Sequence, residues 1–285
     1  MRTDHAARRG LHPHDEWTGF SGIAGQHVGN QERVARAWER VLSIEPRHAG
    51  AARALAPIYA KAGKSARQLA PYEILLEHAA DDDARLRLLG EIRALCEDRL
   101  GSKALAFQWA ARAYQIRPED GRLMAELQRL AAEADAWDDV AAILDARVKS
   151  PEAGDAERLR LLRELGKISS ARLHVVEQAQ TYWEQVLAQV PDDRDALQAL
   201  EEIATHRSDW PGLLEIYRRR VELEPDRPKQ LDLLFRAAFL EEERLADLDA
   251  AAKTYRRIVE VDPGSRRALK ALAKLSEARG DWAGL

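Results

Sequence analysis

The stretch YWEQVLAQVPDD, residues 182–193, places an aromatic residue eight positions before a proline. The same spacing separates Trp38 from Pro46 and Tyr255 from Pro263. Because proline cannot continue a helix, we interpret the proline as the point where a helix stops. The aromatic residue is then a wedge on the packing face of that helix. The recurrence predicts that one helical unit is repeated along the chain.

Four prolines give the period of the repeat, because successive members lie 72, 73 and 72 residues apart: Pro46, Pro118, Pro191 and Pro263. Nineteen residues after each stands the predicted first residue of another helix: Ser65, Trp137, Trp210 and Trp282. Apolar residues recur six, nine and twelve positions after each proline, the last set being Leu269, Leu272 and Leu275. This is the spacing of one helix face, so each period begins with a helical hairpin.

The other half of each period carries a second hairpin. It begins at the aligned runs RLRLL (85–89), RLRLL (158–162) and QLDLL (230–234) and ends at the next proline. Twelve positions before that proline lies a small residue, which lets a neighbouring helix approach closely: Ala106, Ala179 and Ala251. Gly63 and Gly280, seventeen residues after a proline, are predicted to be left-handed residues at helix C termini.

These hairpins resemble the tetratricopeptide repeat family, whose unit of about 34 residues is a pair of antiparallel helices. One unit of that length contains Leu197, Leu200, Tyr217 and Pro225, and another closes with the family's signature at Ala251, Tyr255 and Pro263. Two such units make up one period. Three features depart from the pattern: Ser65 replaces a tryptophan, Trp109 is one residue out of phase, and alternate units are a few residues longer.

The resemblance implies an all-α fold, a right-handed α-solenoid of antiparallel helical hairpins with about fourteen helices. We expect this solenoid to cover residues 31–285. Residues 1–30 are expected to form a flexible N-terminal tail, because glycine, histidine and proline are scattered there without an apolar period.

The composition argues against several classes of protein. A net charge of −4 and a pI near 6.1 disfavour binding to nucleic acid, which depends on neutralising phosphates. No apolar run is long enough to span a membrane, so we expect no membrane partner and a cytoplasmic location. The single cysteine, Cys96, excludes an internal disulfide and a cysteine-based zinc site.

The sequence predicts no catalytic residue, no cofactor and no metal, and hence a protein that is not an enzyme. It contains no glycine-rich phosphate loop and no isolated Gly-x-Ser-x-Gly turn. Four histidines lie in the first 27 residues, at His5, His12, His14 and His27. A metal site needs ligands held at fixed distances, which a flexible tail does not provide.

The candidate functional surface is the concave face of the solenoid, which the first helix of each hairpin would line. Polar residues that alternate there with the apolar positions are the candidates for binding a partner: Arg53, Arg122, Glu126, Arg129, Gln198, Glu201, Glu202, Arg267, Lys270 and Lys274. A clamp for a peptide carboxylate, built from lysines and paired asparagines, is disfavoured because Asn30 is the single asparagine.

Two functions remain open. The first is a protein-interaction scaffold that holds an extended peptide or a helix of a protein partner in the concave groove. The alternative is a structural segment of a larger repeat protein or assembly, which self-associates end to end through an open C-terminal repeat carrying Trp282 and Leu285. RNA recognition is a weaker third idea, because the polar positions do not repeat as a base-reading code would.

Overall fold

The computed structural model describes residues 30–279, and all regular secondary structure in that range is helical. The predicted all-α array of helical hairpins is therefore confirmed for this part of the chain. Its α-helices are α1 (residues 30–44), α2 (Ala49–Lys61), α3 (Ser65–Glu77), α4 (Asp82–Ala94), α5 (Lys103–Ile116), α6 (Gly121–Ala134), α7 (Trp137–Lys149), α8 (Asp155–Ile168), α9 (Val176–Gln189), α10 (Arg194–Arg207), α11 (Trp210–Leu223), α12 (Arg227–Phe239), α13 (Leu248–Val261) and α14 (Arg266–Arg279). Residues 1–29 of the predicted tail, and also Gly280, Trp282 and Leu285, lie outside the described residues.

Helix boundaries follow the proline register. Helices α1, α5, α9 and α13 each end two residues before one of the four repeat prolines. The runs at 85–89, 158–162 and 230–234 lie within α4, α8 and α12. The predicted first residues of the second helices are confirmed, because α3, α7 and α11 begin at Ser65, Trp137 and Trp210.

One residue in the left-handed conformation forms each of three corners, between α2 and α3, between α6 and α7, and between α10 and α11. Its φ angle is 66° at Gly63, 53° at Asp135 and 56° at Ser208. At the last of these corners the Asp209 amide donates to the Ala204 carbonyl over 2.9 Å, which is the hydrogen bond that ends a helix in a Schellman motif. The sequence predicted the corner at Gly63 and missed the other two, because residues with a β-carbon seldom adopt this conformation.

The chain divides into two compact units, Met1–Ala136 and Trp137–Leu285. In the first unit, α1 packs on α2 through a cluster that contains Ala35, Leu55 and Tyr59. In the second unit, one cluster joins α8, α9 and α10, and a larger cluster extends from the end of α10 to α14. Each unit therefore buries its apolar residues between consecutive hairpins, as helical repeats do.

The aromatic wedge of the closing helices is confirmed. Ala179 is fully buried and Trp183, four residues later, is 3% exposed. The indole of Trp183 lies against Gly166 of α8 so closely that a β-carbon on this glycine would be 2.5 Å from Trp183 Cε2. The small residue and the wedge thus both serve to bring α8 and α9 together.

The predicted apolar face of α14 is partly exposed. Leu269 is 46% exposed, whereas its equivalent in α10, Leu197, is 2% exposed. The buried residues of α14 include Ala268 and Leu275, which are seven positions apart. In α10 the equivalent residues Ala196 and Leu197 are both buried, so helix phase alone does not expose Leu269. Helix α11 packs against α10, and no equivalent helix after α14 lies within residues 30–279.

A feature that the sequence did not predict is a five-residue π-helical turn after α4, α8 and α12. The turns are Leu95–Arg99, Ser169–Leu173 and Leu240–Arg244. They account for the extra length of alternate units noted in the sequence. Each turn places one polar residue in the interior: Cys96, Ser169 and Glu241 are 0%, 0% and 1% exposed. The buried carboxylate of Glu241 accepts a hydrogen bond from Arg218 over 2.8 Å.

Candidate interaction surface

A closed network of ion pairs occupies part of the candidate surface in the first unit. Six side chains form it: Arg93, Glu97, Lys103, Glu126, Arg129 and Glu133. Arg129 of α6 lies 2.8 Å from Glu97, 2.9 Å from Glu126 and 2.5 Å from Glu133. Lys103 bridges two of these acids, at 2.9 Å from Glu97 and 2.7 Å from Glu133. We call this set the charge network.

The charge network is electrically balanced, with three acids and three bases. Hydrogen bonds from Arg129 and then Lys103 lower the pKa of Glu97 to about 2. A hydrogen bond from Arg129 also lowers the pKa of Glu126. Because hydrogen bonding favours the charged form of these carboxylates, they stay ionised and paired at neutral pH. Glu126 and Arg129 therefore join α6 to the turn after α4 rather than standing free for a partner.

Two other candidates of the first unit differ from these. Arg53 of α2 and Arg122 of α6 are exposed, and within residues 30–279 neither side chain forms an ion pair. Both guanidinium groups are available to a partner without first breaking an internal contact.

Most candidates of the second unit also form hydrogen bonds or ion pairs within the chain. Glu201 of α10 accepts a hydrogen bond from Arg220 and lies 3.5 Å from Arg236. Gln198 donates to Glu202 over 3.2 Å. These contacts orient α10 against α11 and α12, so Glu201 has a structural partner on each of them.

On α14, Lys274 donates to Glu242 over 3.1 Å, and the Arg267 guanidinium lies 4.3 Å from the ring centre of Phe235. Lys270 is exposed and makes no ion pair in the part of the chain that the structure describes. Among the sequence candidates, Arg53, Arg122 and Lys270 are thus the cations that form neither an ion pair nor a ring contact within residues 30–279.

A groove of about 620 Å³ lies in the second unit, between α8 with its π-helical turn, the start of α9, and α10. We call it the α8–α10 groove. It is lined by Lys167, Ser170, Ala171, His174, Val176, Trp183, Ala199, Glu202, Ile203 and His206. The first helices of two successive hairpins form two of its walls, which is where the sequence placed a partner.

The α8–α10 groove combines an apolar floor with a polar rim. Val176, Trp183 and Ile203 supply apolar surface, and Lys167 and Glu202 supply opposite charges. The indole Nε1–H of Trp183 is buried and has no hydrogen-bond partner within the described residues. Apolar pockets with a few polar groups that fix orientation are typical of binding sites.

The sequence predicted one lining residue of this groove, Glu202. Lys167, His174 and His206 were not among the predicted positions, because the groove opens beside a π-helical turn that the sequence did not predict. His174 ends the turn in a left-handed conformation, with φ of 56°.

Residues 30–279 show neither a membrane span nor a metal site. No helix there combines the length and the apolarity needed to cross a membrane. No group of three or more His, Cys, Asp or Glu side chains in the same range could hold a metal ion.

No protein-family model matches the chain, and no curated protein sequence matches it. MamA from Desulfovibrio magneticus RS-1 is 16% identical with a TM-score of 0.36, over 66% of this chain and 99% of that chain. A TPR repeat-containing protein from Cytophaga hutchinsonii is 14% identical with a TM-score of 0.40, over 89% and 98%. Naa15/Naa10 bound to HypK-THB gives 15% identity and a TM-score of 0.44, over 90% of this chain and 44% of that chain. Residues 30–279 form an array of helical hairpins.

Proposed function

We propose that this chain is a non-enzymatic protein-interaction scaffold whose α8–α10 groove holds an extended peptide or a helix of a partner protein. The supporting observation is the groove itself, which offers about 620 Å³ of open space over an apolar floor. Interfaces that capture helices or peptides bury a few apolar side chains in such a groove and surround them with polar contacts.

The rim of the groove defines the chemistry of the partner. Lys167 and Glu202 give the rim one cation and one anion, and the rings of His174 and His206 add hydrogen-bonding nitrogens. A segment with two or three apolar side chains flanked by one acidic and one basic residue complements this arrangement, since rim charges steer association and fix orientation.

Site-specific photocrosslinking tests the proposal. A benzophenone amino acid placed at Ala171 or Glu202, both exposed in the groove, should crosslink one protein partner in cells of the source organism. The matched control is Lys253, an exposed residue of α13 outside the groove. The captured segment, made as a peptide, should bind the purified chain, and Ala171→Arg should weaken its binding at least about tenfold, which is 1.4 kcal/mol. Equal crosslinking at all three positions would reject the groove as the binding site.

A second candidate function is favoured by the exposure of Leu269. This leucine is 46% exposed on α14, next to Lys270. In this second proposal, Leu269 contacts another hairpin, in a second chain or in a larger assembly, as its buried equivalent Leu197 contacts its neighbours within the chain. Sedimentation of the chain at several concentrations tests this. Association that Leu269→Gln removes would support the assembly function, and a monomer at every concentration would reject it.

A further inference from the structure

An arginine stacks over a tryptophan at equivalent places in two repeats. The guanidinium carbon of Arg172 lies 4.9 Å from the ring centre of Trp137, and that of Arg244 lies 5.0 Å from the ring of Trp210. Each arginine belongs to a π-helical turn, and each tryptophan is the first residue of the second helix in the preceding hairpin. The contact combines apolar burial with attraction between the cation and the ring face.

The first repeat keeps the arginine and lacks the tryptophan. Arg99 occupies the place of Arg172 and Arg244, and Ser65 stands where the indole would begin. A cavity of about 300 Å³ opens at this point, lined by Ser65, Gln68, Ala94, Leu95, Asp98 and Arg99 among others. We call it the Ser65 pocket. Its volume is at the lower end of the roughly 300–1,000 Å³ of sites that bind small ligands.

The lining of the Ser65 pocket differs from the filled copies in a second way. Gln68 takes the place of Val140 and Leu213, which are 0% and 3% exposed in the other repeats. Its side chain is buried and donates to the Ala56 carbonyl over 3.3 Å. Polar groups therefore lie beside a space that is apolar elsewhere, and an entering indole N–H has acceptors within its reach.

The two charged residues of the Ser65 pocket have no ion-pair partner within residues 30–279. Asp98 and Arg99 are exposed, and neither forms an ion pair within the range 30–279. In the filled copies the corresponding arginine is held over the ring, so Arg99 is the one copy of this arginine without its aromatic partner in the described structure.

We propose that the Ser65 pocket binds a tryptophan side chain of a partner protein, with the indole lying beneath Arg99 as Trp137 and Trp210 lie beneath their arginines. The inference rests on the proposed scaffold function, because the indole belongs to a protein partner, but the pocket is a separate site from the α8–α10 groove. Tryptophan is the occupant that fits best, because the chain itself uses an indole in both filled copies. A phenyl ring would fill less of the cavity and would lack the N–H donor.

The probe is a four-residue peptide, acetyl-Asp-Trp-Pro-Gly-amide, which copies residues 209–212 and carries 5-fluorotryptophan. Fluorine NMR of this peptide, titrated with the full chain, reports binding without interference from the protein's own tryptophans. We expect the fluorine signal to shift and broaden when the unmodified chain is added. The control peptide has alanine in place of tryptophan and carries its fluorine on an N-terminal fluoroacetyl group, and its signal should not change.

Two variants test the location. Ser65→Trp supplies the missing indole from the chain itself and should abolish the shift. Arg99→Ala removes an exposed side chain without an internal ion pair, so it should preserve folding while weakening binding roughly three- to tenfold. Arg40→Ala, at an exposed arginine of α1 that lies outside the pocket and forms no ion pair within residues 30–279, is the matched control and should leave binding unchanged.

Three results would overturn the inference. The first is no fluorine shift at millimolar peptide, and the second is undiminished binding to both Ser65→Trp and Arg99→Ala. The third is binding to a Trp17→Ala variant but not to the unmodified chain, which would mean that the protein fills the pocket with its own tryptophan. If the peptide fails while Ala171 still crosslinks a partner, the pocket inference fails and the proposed function stands.

Discussion

Replacing Gly166 by alanine should destabilise the protein, although alanine is the better helix former. Gly166 is buried within α8, and a β-carbon there would lie 2.5 Å from Cε2 and 2.8 Å from Nε1 of Trp183. Carbon atoms in contact are normally separated by about 3.5–4.0 Å, so the ring or the helix must move by roughly 1 Å. The indole is rigid and 3% exposed, so a shift of this size must disturb its packing in the core.

The magnitude follows from two opposing effects. Overpacking of a buried site costs about 1–3 kcal/mol. Replacing a helical glycine by alanine recovers about 0.5–1 kcal/mol. The net expectation for Gly166→Ala is a loss of about 1–2 kcal/mol in the free energy of unfolding. Gly90 of α4 is the matched control, because a β-carbon there meets no atom within 4 Å. Gly90→Ala should therefore stabilise the protein by about 0.5–1 kcal/mol.

Urea denaturation followed by circular dichroism measures both changes, and a double-mutant cycle identifies the cause. In a Trp183→Leu background the clash is absent, so Gly166→Ala should lose most of its cost. The reasoning is refuted if Gly166→Ala is as stabilising as Gly90→Ala. It is also refuted if the effect of Gly166→Ala is the same with and without the indole.

Three further predictions concern other features. Ser208→Gly should stabilise the protein by about 0.5–1 kcal/mol, because glycine adopts a φ of 56° without strain. Gly63→Ala should destabilise it by a similar amount. Melting temperatures that shift in the same direction for both variants would contradict this. The pKa of Glu97 is lowered to about 2, so the stability that this carboxylate contributes should be complete above about pH 4.5 and should disappear as the pH falls towards 2. The free energy of unfolding of Glu97→Gln should therefore approach that of the unmodified chain over this interval. A constant difference between the two would argue against the charge network. Arg218→Ala leaves the carboxylate of Glu241 buried and unpaired, so it should lower the free energy of unfolding by about 1–3 kcal/mol. Adding Glu241→Ser, which copies Ser169, should restore part of that loss. Urea denaturation measures both changes.

The hairpin array could be predicted from the sequence because its signals are local and repeat four times. A proline after each closing helix and an apolar face at helical spacing do not depend on distant parts of the chain. The corners at Asp135 and Ser208 were missed because the helix-ending hydrogen bonds, rather than the residue type, impose the left-handed conformation there.

The candidate site was harder to predict than the fold. The spacing correctly placed Glu126 and Arg129 on the polar side of α6, but their availability depends on Glu97, which lies in a turn about 30 residues away in the chain. The π-helical turns have no residue-type signature, because the segments LCEDR, SSARL and LEEER share little beyond a basic residue near the end. Both the charge network and the α8–α10 groove depend on these turns.

The π-helical turns also set the unit in which this array can be rebuilt. Their buried residues, Cys96, Ser169 and Glu241, are spaced 73 and 72 residues apart. Arg172 and Arg244 of the second and third turns each stack on a tryptophan of the preceding hairpin. The exchangeable module is therefore a pair of unequal hairpins. Inserting or deleting a single hairpin would bring an arginine-bearing turn against a corner that has no indole, and would create another cavity like the one beside Ser65. Grafts, duplications and deletions in this scaffold should keep their packing only in steps of two hairpins.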